Sequence, residues 1–63
     1  MHAQEVQRDA REIALSMIKV HGLRAQAIAM EHVSEMRQQG DLSGHDRWQQ
    51  IRAAICELRQ THH

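Results

Sequence analysis

The stretch QQGDLSGHDRW, residues 38–48, contains two of the chain's three glycines and decides how the fold is divided. Gly40 stands where a left-handed residue commonly ends a helix, and Asp41 and Ser43 can each cap the start of the next one. Ser43 and Asp46 also have the spacing of a capping box. The stretch therefore predicts that one helix ends and another begins here, with a short turn between them.

A second break lies upstream at Gly22, where another left-handed cap can end a helix. Each segment between the breaks has apolar residues at helical spacing and thus one apolar face. Three such faces predict an all-α fold, either a small three-helix bundle or a helical hairpin with a third helix packed across it. The predicted helices cover about 3–21, 24–39 and 43–60.

The composition supports the same fold class. The chain has 63 residues and contains no proline, Phe or Tyr. Residues of good helix propensity dominate it, and strand-forming residues are too scarce for a sheet. A chain of this length forms one domain at most. We expect a single domain over 1–63, with frayed ends near 1–3 and 61–63.

One apolar stripe from each helix is expected to line the core. The stripes run through Val6, Ala10, Ile13, Met17 and Val20, through Ala25, Ile28, Ala29, Val33 and Met36, and through Gly44, Trp48, Ile51, Ile55 and Leu58. Trp48 is expected to be the central plug, because no other side chain here offers as much area to bury. Ala25 and Ala29 would let a neighbouring helix approach closely.

Several apolar residues remain once these stripes are assigned. Leu15 falls on the polar side of the first helix among basic residues, and Ile18, Leu23 and Met30 lie off the main stripes. They either widen the core stripe or form an interface, most simply a homodimer contact through the first two helices. Methionine suits an adaptable contact surface. These four residues are the candidate interface.

The charge balance bears on the class of partner. Eight Lys and Arg residues balance eight Asp and Glu residues, so the formal net charge is zero. Nucleic-acid binders normally have a basic excess, which makes nucleic acid a disfavoured partner. The alternative that stays open is a small DNA-binding regulator that uses the third helix, with Arg47, Arg52 and Arg59, after the turn at Gly40 to Gly44.

Other features bear on location. The apolar stretches fall far short of the roughly 20 residues that cross a bilayer, so no membrane association is expected. The first residues lack the basic and then apolar regions of a signal peptide. A lone thiol, Cys56, fits a reducing compartment better than a secreted disulfide framework. We therefore expect a cytoplasmic protein.

No set of residues with recognisable catalytic or metal-binding spacing was found. His32 and Glu35 are one helical turn apart, but a dinuclear carboxylate site needs further pairs, and tetrahedral ligand spacing is missing. Cys56 lies near Arg52 and Arg59, which favour the thiolate, but the sequence places no base beside it. We expect no catalytic residue, no cofactor, no metal and no small-molecule substrate. The sequence predicts a non-catalytic protein-interaction module that binds itself or a larger protein as adaptor or regulator.

The turn and the third helix also carry a pattern of the form G-D-x-x-G-x-x-x-W-x-x-I-x-x-A-I-x-x-L over residues 40–58, preceded by His21-Gly22 and an alanine-rich second helix. With this pattern the chain resembles a group of short uncharacterised alphaproteobacterial helical proteins over roughly residues 10–58. The resemblance implies the helical layout and a bacterial, cytosolic origin. It implies no activity and no catalytic residues.

Overall fold

The computed structural model describes the backbone of residues 2–60 and the side chains of residues 8–60. Over this range the chain is helical, which confirms the all-α prediction. The predicted boundaries agree with the helical segments to within one residue. The elements are α1 (His2–His21), a 3-10 turn (Gly22–Arg24), α2 (Ala25–Gln39) and α3 (Leu42–Gln60).

The two ends of the chain are described only in part. The predicted fraying falls on residues 1–3 and 61–63, of which 1 and 61–63 lie outside the described residues. Val6, placed in the predicted core, lies outside the described side chains. None of the helices in residues 2–60 is both long enough and apolar enough to cross a membrane.

The turn from α2 to α3 consists of two residues that serve both helices. Gly40 is left-handed, with φ 74° and ψ 18°. Its N–H donates to the Arg37 carbonyl at 3.1 Å, and the Asp41 N–H donates to the Met36 carbonyl at 2.9 Å. These two bonds form a Schellman motif, which satisfies carbonyls at the end of α2. Asp41 then caps α3, because its Oδ1 accepts the Gly44 N–H at 2.9 Å.

The capping box predicted at Ser43 is therefore wrong. Ser43 lies within the first turn of α3 and is exposed, and the N-cap is Asp41. The physical reason is the Schellman motif, which places Asp41 just outside α3 with its carboxylate beside the free N–H groups of the first turn.

We expect Asp41→Ala to lower the free energy of unfolding by about 0.5–2 kcal/mol, because the Gly44 N–H loses its acceptor. Asp41→Asn keeps an acceptor and should stay close to wild type. Ser43→Ala should change stability by less than about 0.5 kcal/mol. Urea unfolding followed by far-UV circular dichroism measures all three. A larger loss from Ser43→Ala than from Asp41→Ala would contradict this assignment of the cap.

The α2–α3 hairpin brings together residues that are equally distant from Gly40. His32 and Trp48, eight residues to either side, stack on one another. Closer to the turn, a Cβ placed on Gly44 would lie 2.6 Å from Met36 Sδ, so Met36 occupies the space that a side chain at this position would need. Ala29 and Ile51, and likewise Ala25 and Ile55, are also equally distant from Gly40, and all four are buried in one core cluster.

The third helix connects the other two. α3 packs along both α1 and α2, whereas α1 and α2 contact each other little. The molecule measures 36 × 29 × 16 Å. We therefore describe α3 as the helix on which both α1 and α2 pack.

The core differs from the predicted one in its largest members. Trp48 is only half-buried at the edge of the core, and Ile51 and Ile55 are the largest fully buried side chains. Val20, predicted to be in the core, is exposed because it lies in the last turn of α1, past the residues that pack on α3. The buried residues of the described range are Ala10, Ala14, Ala25, Ala29, Ile51 and Ile55.

Candidate interaction surface

The described part of the chain places small apolar side chains inside and large ones outside. Four of its six buried residues are alanines. Large apolar side chains are exposed by half or more: Leu15 51%, Val20 72%, Leu23 79%, Met30 50% and Leu42 75%. Single exposed apolar residues are ordinary on any protein surface. Five of them beside a core built mainly of alanine indicate that apolar area is available for a partner.

The four candidate interface residues occupy different environments. Leu15 lies on α1, Leu23 in the turn between α1 and α2, and Met30 on α2, and all three are exposed. Ile18 is partly buried and packs against the core. Ile18 therefore lies between the core and the exposed Leu15, which is one turn away on the same flank of α1. Ile18 thus widens the core stripe, and the other three residues lie at the surface.

The outward face of α2 carries a shallow depression. It is lined by Ala27, Met30, Glu31, Ser34 and Glu35. The small side chains of Ala27 and Ser34 leave room at its two ends, and Met30 is its large apolar side chain. Both glutamates are exposed at its edge. Ala27 and Ser34 were not predicted as surface residues of interest, although their spacing from Met30 and Glu31 is that of neighbours on one helix face.

Basic residues flank Leu15 on α1. Arg11 and Lys19 stand four residues before and after Leu15, and both are exposed. Side chains four apart on a helix are neighbours, so a basic residue flanks Leu15 on each side along the helix axis. Glu12, also exposed, lies on the adjoining part of this face. The result is a protruding apolar side chain in a mainly basic surrounding.

Depressions on the two flanks of α1 show how it crosses α3. Asp9 borders one depression with residues from the first half of α3, Ser43 to Gln50. On the opposite flank Arg11 and Glu57 border a groove of about 310 Å³ with Leu58 near the end of α3. This volume is at the small end of ligand pockets. α1 therefore crosses α3 obliquely, and alanines at the crossing leave the groove.

A stacked aromatic pair joins α2 to α3. The ring centroids of His32 and Trp48 are 4.2 Å apart with an angle of 19° between the planes. His32 Nδ1 also lies 3.9 Å from Glu35 Oε1. Such aromatic pairs contribute about 0.5–1.5 kcal/mol beyond the area that they bury. This contact was not predicted from the sequence, and the signal that could have revealed it is the equal distance of both residues from Gly40.

The described histidines, cysteine and acidic residues do not converge. Among side chains 8–60, no three His, Cys, Asp or Glu residues lie close enough together to hold a metal ion. His45 Nδ1 lies 3.6 Å from Asp46 Oδ1, as sequence neighbours. Cys56 is half-buried beside Gln26 and Arg59. His2, His62 and His63 lie outside the described side chains.

The arginines of α3, which the DNA-binding alternative would use, differ in their surroundings. Arg47 and Arg59 are exposed. Arg52 is half-buried, and its Nε donates to Gln49 Oε1 at 3.3 Å. The α2–α3 connection of two residues is also shorter than the 3–4-residue turn of a helix-turn-helix motif.

Comparison of the chain with family models, with curated proteins and with solved structures found no match in any of the three. The resemblance to short alphaproteobacterial proteins stays a prediction. In this chain the G-D-x-x-G part of the pattern has a structural explanation. Gly40 adopts the left-handed conformation, Asp41 caps α3, and Gly44 lies against Met36 Sδ where a Cβ does not fit.

Proposed function

We propose that this chain is a non-catalytic protein-interaction module that associates with itself or binds a larger protein as adaptor or regulator. The observation that carries the proposal is the exposure of Leu15, Leu23 and Met30 next to a core made mainly of alanine. Large apolar side chains at the surface of a small domain are typical of a contact that forms after folding. We place the protein in the cytoplasm, which the lone Cys56 supports.

The architecture that we propose for this module is a small three-helix bundle, formed by the α2–α3 hairpin with α1 packed across α3. The contacts of α3 with both other helices support it. It leaves the outward faces of α1 and α2 uncovered by the rest of the described chain, and these faces carry Leu15 and Met30.

Energetics favour association of such a chain. A domain of this length has an expected stability of only about 3–9 kcal/mol. Burial of one leucine or methionine side chain contributes about 1.5–3 kcal/mol, and a buried alanine contributes much less. A partner that binds only the folded chain stabilises it by mass action. Contact through the exposed apolar residues would thus add the stabilisation by apolar burial that an alanine core does not supply.

The first experiment is the solution mass from size-exclusion chromatography with light scattering, under reducing conditions and over a range of concentrations. We expect a dimer at high concentration and its loss in Leu15→Glu, because the change buries an unpaired carboxylate in the contact. Leu42→Glu, at the start of α3, is the matched control and should leave the dimer intact. The mass of a single chain at every concentration would contradict self-association and leave a larger protein as the partner.

Retention on DNA, measured on the same sample, tests whether nucleic acid is a partner of this chain. We propose that DNA binding by α3 is the weaker alternative, because the charge is balanced and Arg52 is already bonded to Gln49. Salt-dependent retention on DNA would support that alternative, since phosphate contacts lose affinity steeply with salt.

A further inference from the structure

We infer that the partner is a second copy of this chain, with Leu15 of each copy inserted into the depression on α2 of the other. The inference rests on the proposed function and specifies which partner binds and through which contact. It follows from the shape of α2's outward face, from the side chain that would fill it, and from the charges around both.

The depression on α2 has the form of a hole in knobs-into-holes packing. Four of its lining residues, Ala27, Met30, Glu31 and Ser34, follow one another at intervals of three, one and three. Such a group of four surrounds one point on a helix face and accepts one side chain from a facing helix. Because the first and last members are small, the hole is open enough for a branched apolar side chain.

Leu15 is the matching knob. It is half exposed on α1, on a helix face that the rest of the described chain does not cover. The adjoining Ile18 packs on the core, so the segment of α1 that carries Leu15 is held in place. A leucine supported in this way can enter a preformed hole without ordering a mobile segment, which lowers the entropy cost of association.

Charge complementarity selects the second copy as the occupant. Glu31 and Glu35 edge the hole, and Arg11 and Lys19 flank the knob at equal distances. Whichever way the two helices run, one of these basic residues lies next to the acidic edge when Leu15 is seated. Glu12 on the same face of α1 and Glu57, which borders a groove with Arg11, reduce the basic excess. Lys19 has no acidic residue within one turn of α1 and is the less compensated of the two basic residues.

Two-fold symmetry doubles the contact. α1 and α2 both pack on α3, and the inference places the knob and the hole on the same side of the molecule. When that side meets a copy of itself, α1 packs on the partner's α2 and α2 on the partner's α1. The same patch then serves both subunits, which is the arrangement of a closed dimer and leaves no open site for further growth.

A charge-exchange experiment tests the inference. One variant carries Glu31→Lys and Glu35→Lys, and the other carries Arg11→Glu and Lys19→Glu. Each variant alone places like charges at both contacts, and we expect dimerisation to weaken at least about tenfold. An equimolar mixture restores opposite charges at both contacts, so we expect a species with the mass of one chain of each variant. Its recovery also shows that both variants are folded.

Two results would overturn the inference and can be told apart from failure of the proposed function. If each charge variant dimerises as well as the wild type, the contact lies elsewhere and self-association itself stands. If the wild-type chain has the mass of one copy at every concentration, a second copy is not the occupant, and a larger protein remains the partner. Leu42→Glu serves again as the control for an exposed apolar residue outside the contact.

Discussion

Replacement of Ile55 by alanine is expected to unfold a large fraction of the protein. Ile55 is fully buried, and together with Ile51 it supplies the largest side chains of the core. Four of the other five buried residues in the described range are alanines, which have no rotamers with which to fill the space that is lost. Truncation of a buried isoleucine to alanine costs about 2–5 kcal/mol. This cost is a large part of the roughly 3–9 kcal/mol expected for a chain of this length.

Thermal and urea unfolding followed by far-UV circular dichroism measure the effect, with a reductant present to keep Cys56 free. Leu42→Ala is the matched control, because it also removes an apolar side chain but from a position that is three-quarters exposed. It should change stability by less than about 0.5 kcal/mol. Equal effects of the two substitutions would show that Ile55 does not lie in the core.

The second large effect is expected from the opposite change, Ala29→Leu. Ala29 is fully buried on α2, at the same distance from Gly40 as the buried Ile51 of α3. A leucine at this position has no space unless the two helices separate, and overpacking of this kind costs typically 1–3 kcal/mol. Because leucine and alanine have similar helix propensities, the loss would report packing rather than helix formation.

The control for this substitution is Ala53→Leu on α3, where the alanine is exposed and borders the groove beside α1. We expect little change there, and the urea midpoints of both variants give the comparison. A wild-type midpoint for Ala29→Leu would contradict the close approach of α2 and α3.

The helical segments were predictable from the sequence because their signals are local. Gly22 and Gly40 are the two residues with positive φ in the described range, and each ends a helix. A residue without Cβ is favoured in this conformation wherever it occurs, so its effect on the chain does not depend on tertiary contacts. Composition alone also predicted the absence of strands, because strand propensity is a property of residue types and needs no tertiary contact.

The membership of the core was less predictable, since it depends on how the helices cross. Apolar periodicity placed Val20 in the core stripe and left Ala14 outside it, whereas Ala14 is buried and Val20 is exposed. Size also misled the prediction for Trp48. The close α2–α3 packing made possible by alanines leaves no central space for an indole, which stacks on His32 at the edge.

The candidate surface was predictable in its large residues and not in its small ones. Leu15, Leu23 and Met30 stood out because apolar side chains off the main stripe are conspicuous in a sequence. Ala27 and Ser34 carry no such signal, and their contribution is the space that they leave on α2. A hole is a property of four neighbouring side chains, so it becomes visible only when they are placed together.

The two-residue turn at Gly40 and Asp41 also bears on the order in which the chain folds. Closure of so short a loop costs little chain entropy, so the pairs around it can meet soon after α2 and α3 form. α1 meets α3 across a far longer stretch of sequence, and its docking comes later on this account. Changes within the hairpin should then act mainly on the folding rate, and changes where α1 crosses α3 mainly on the unfolding rate.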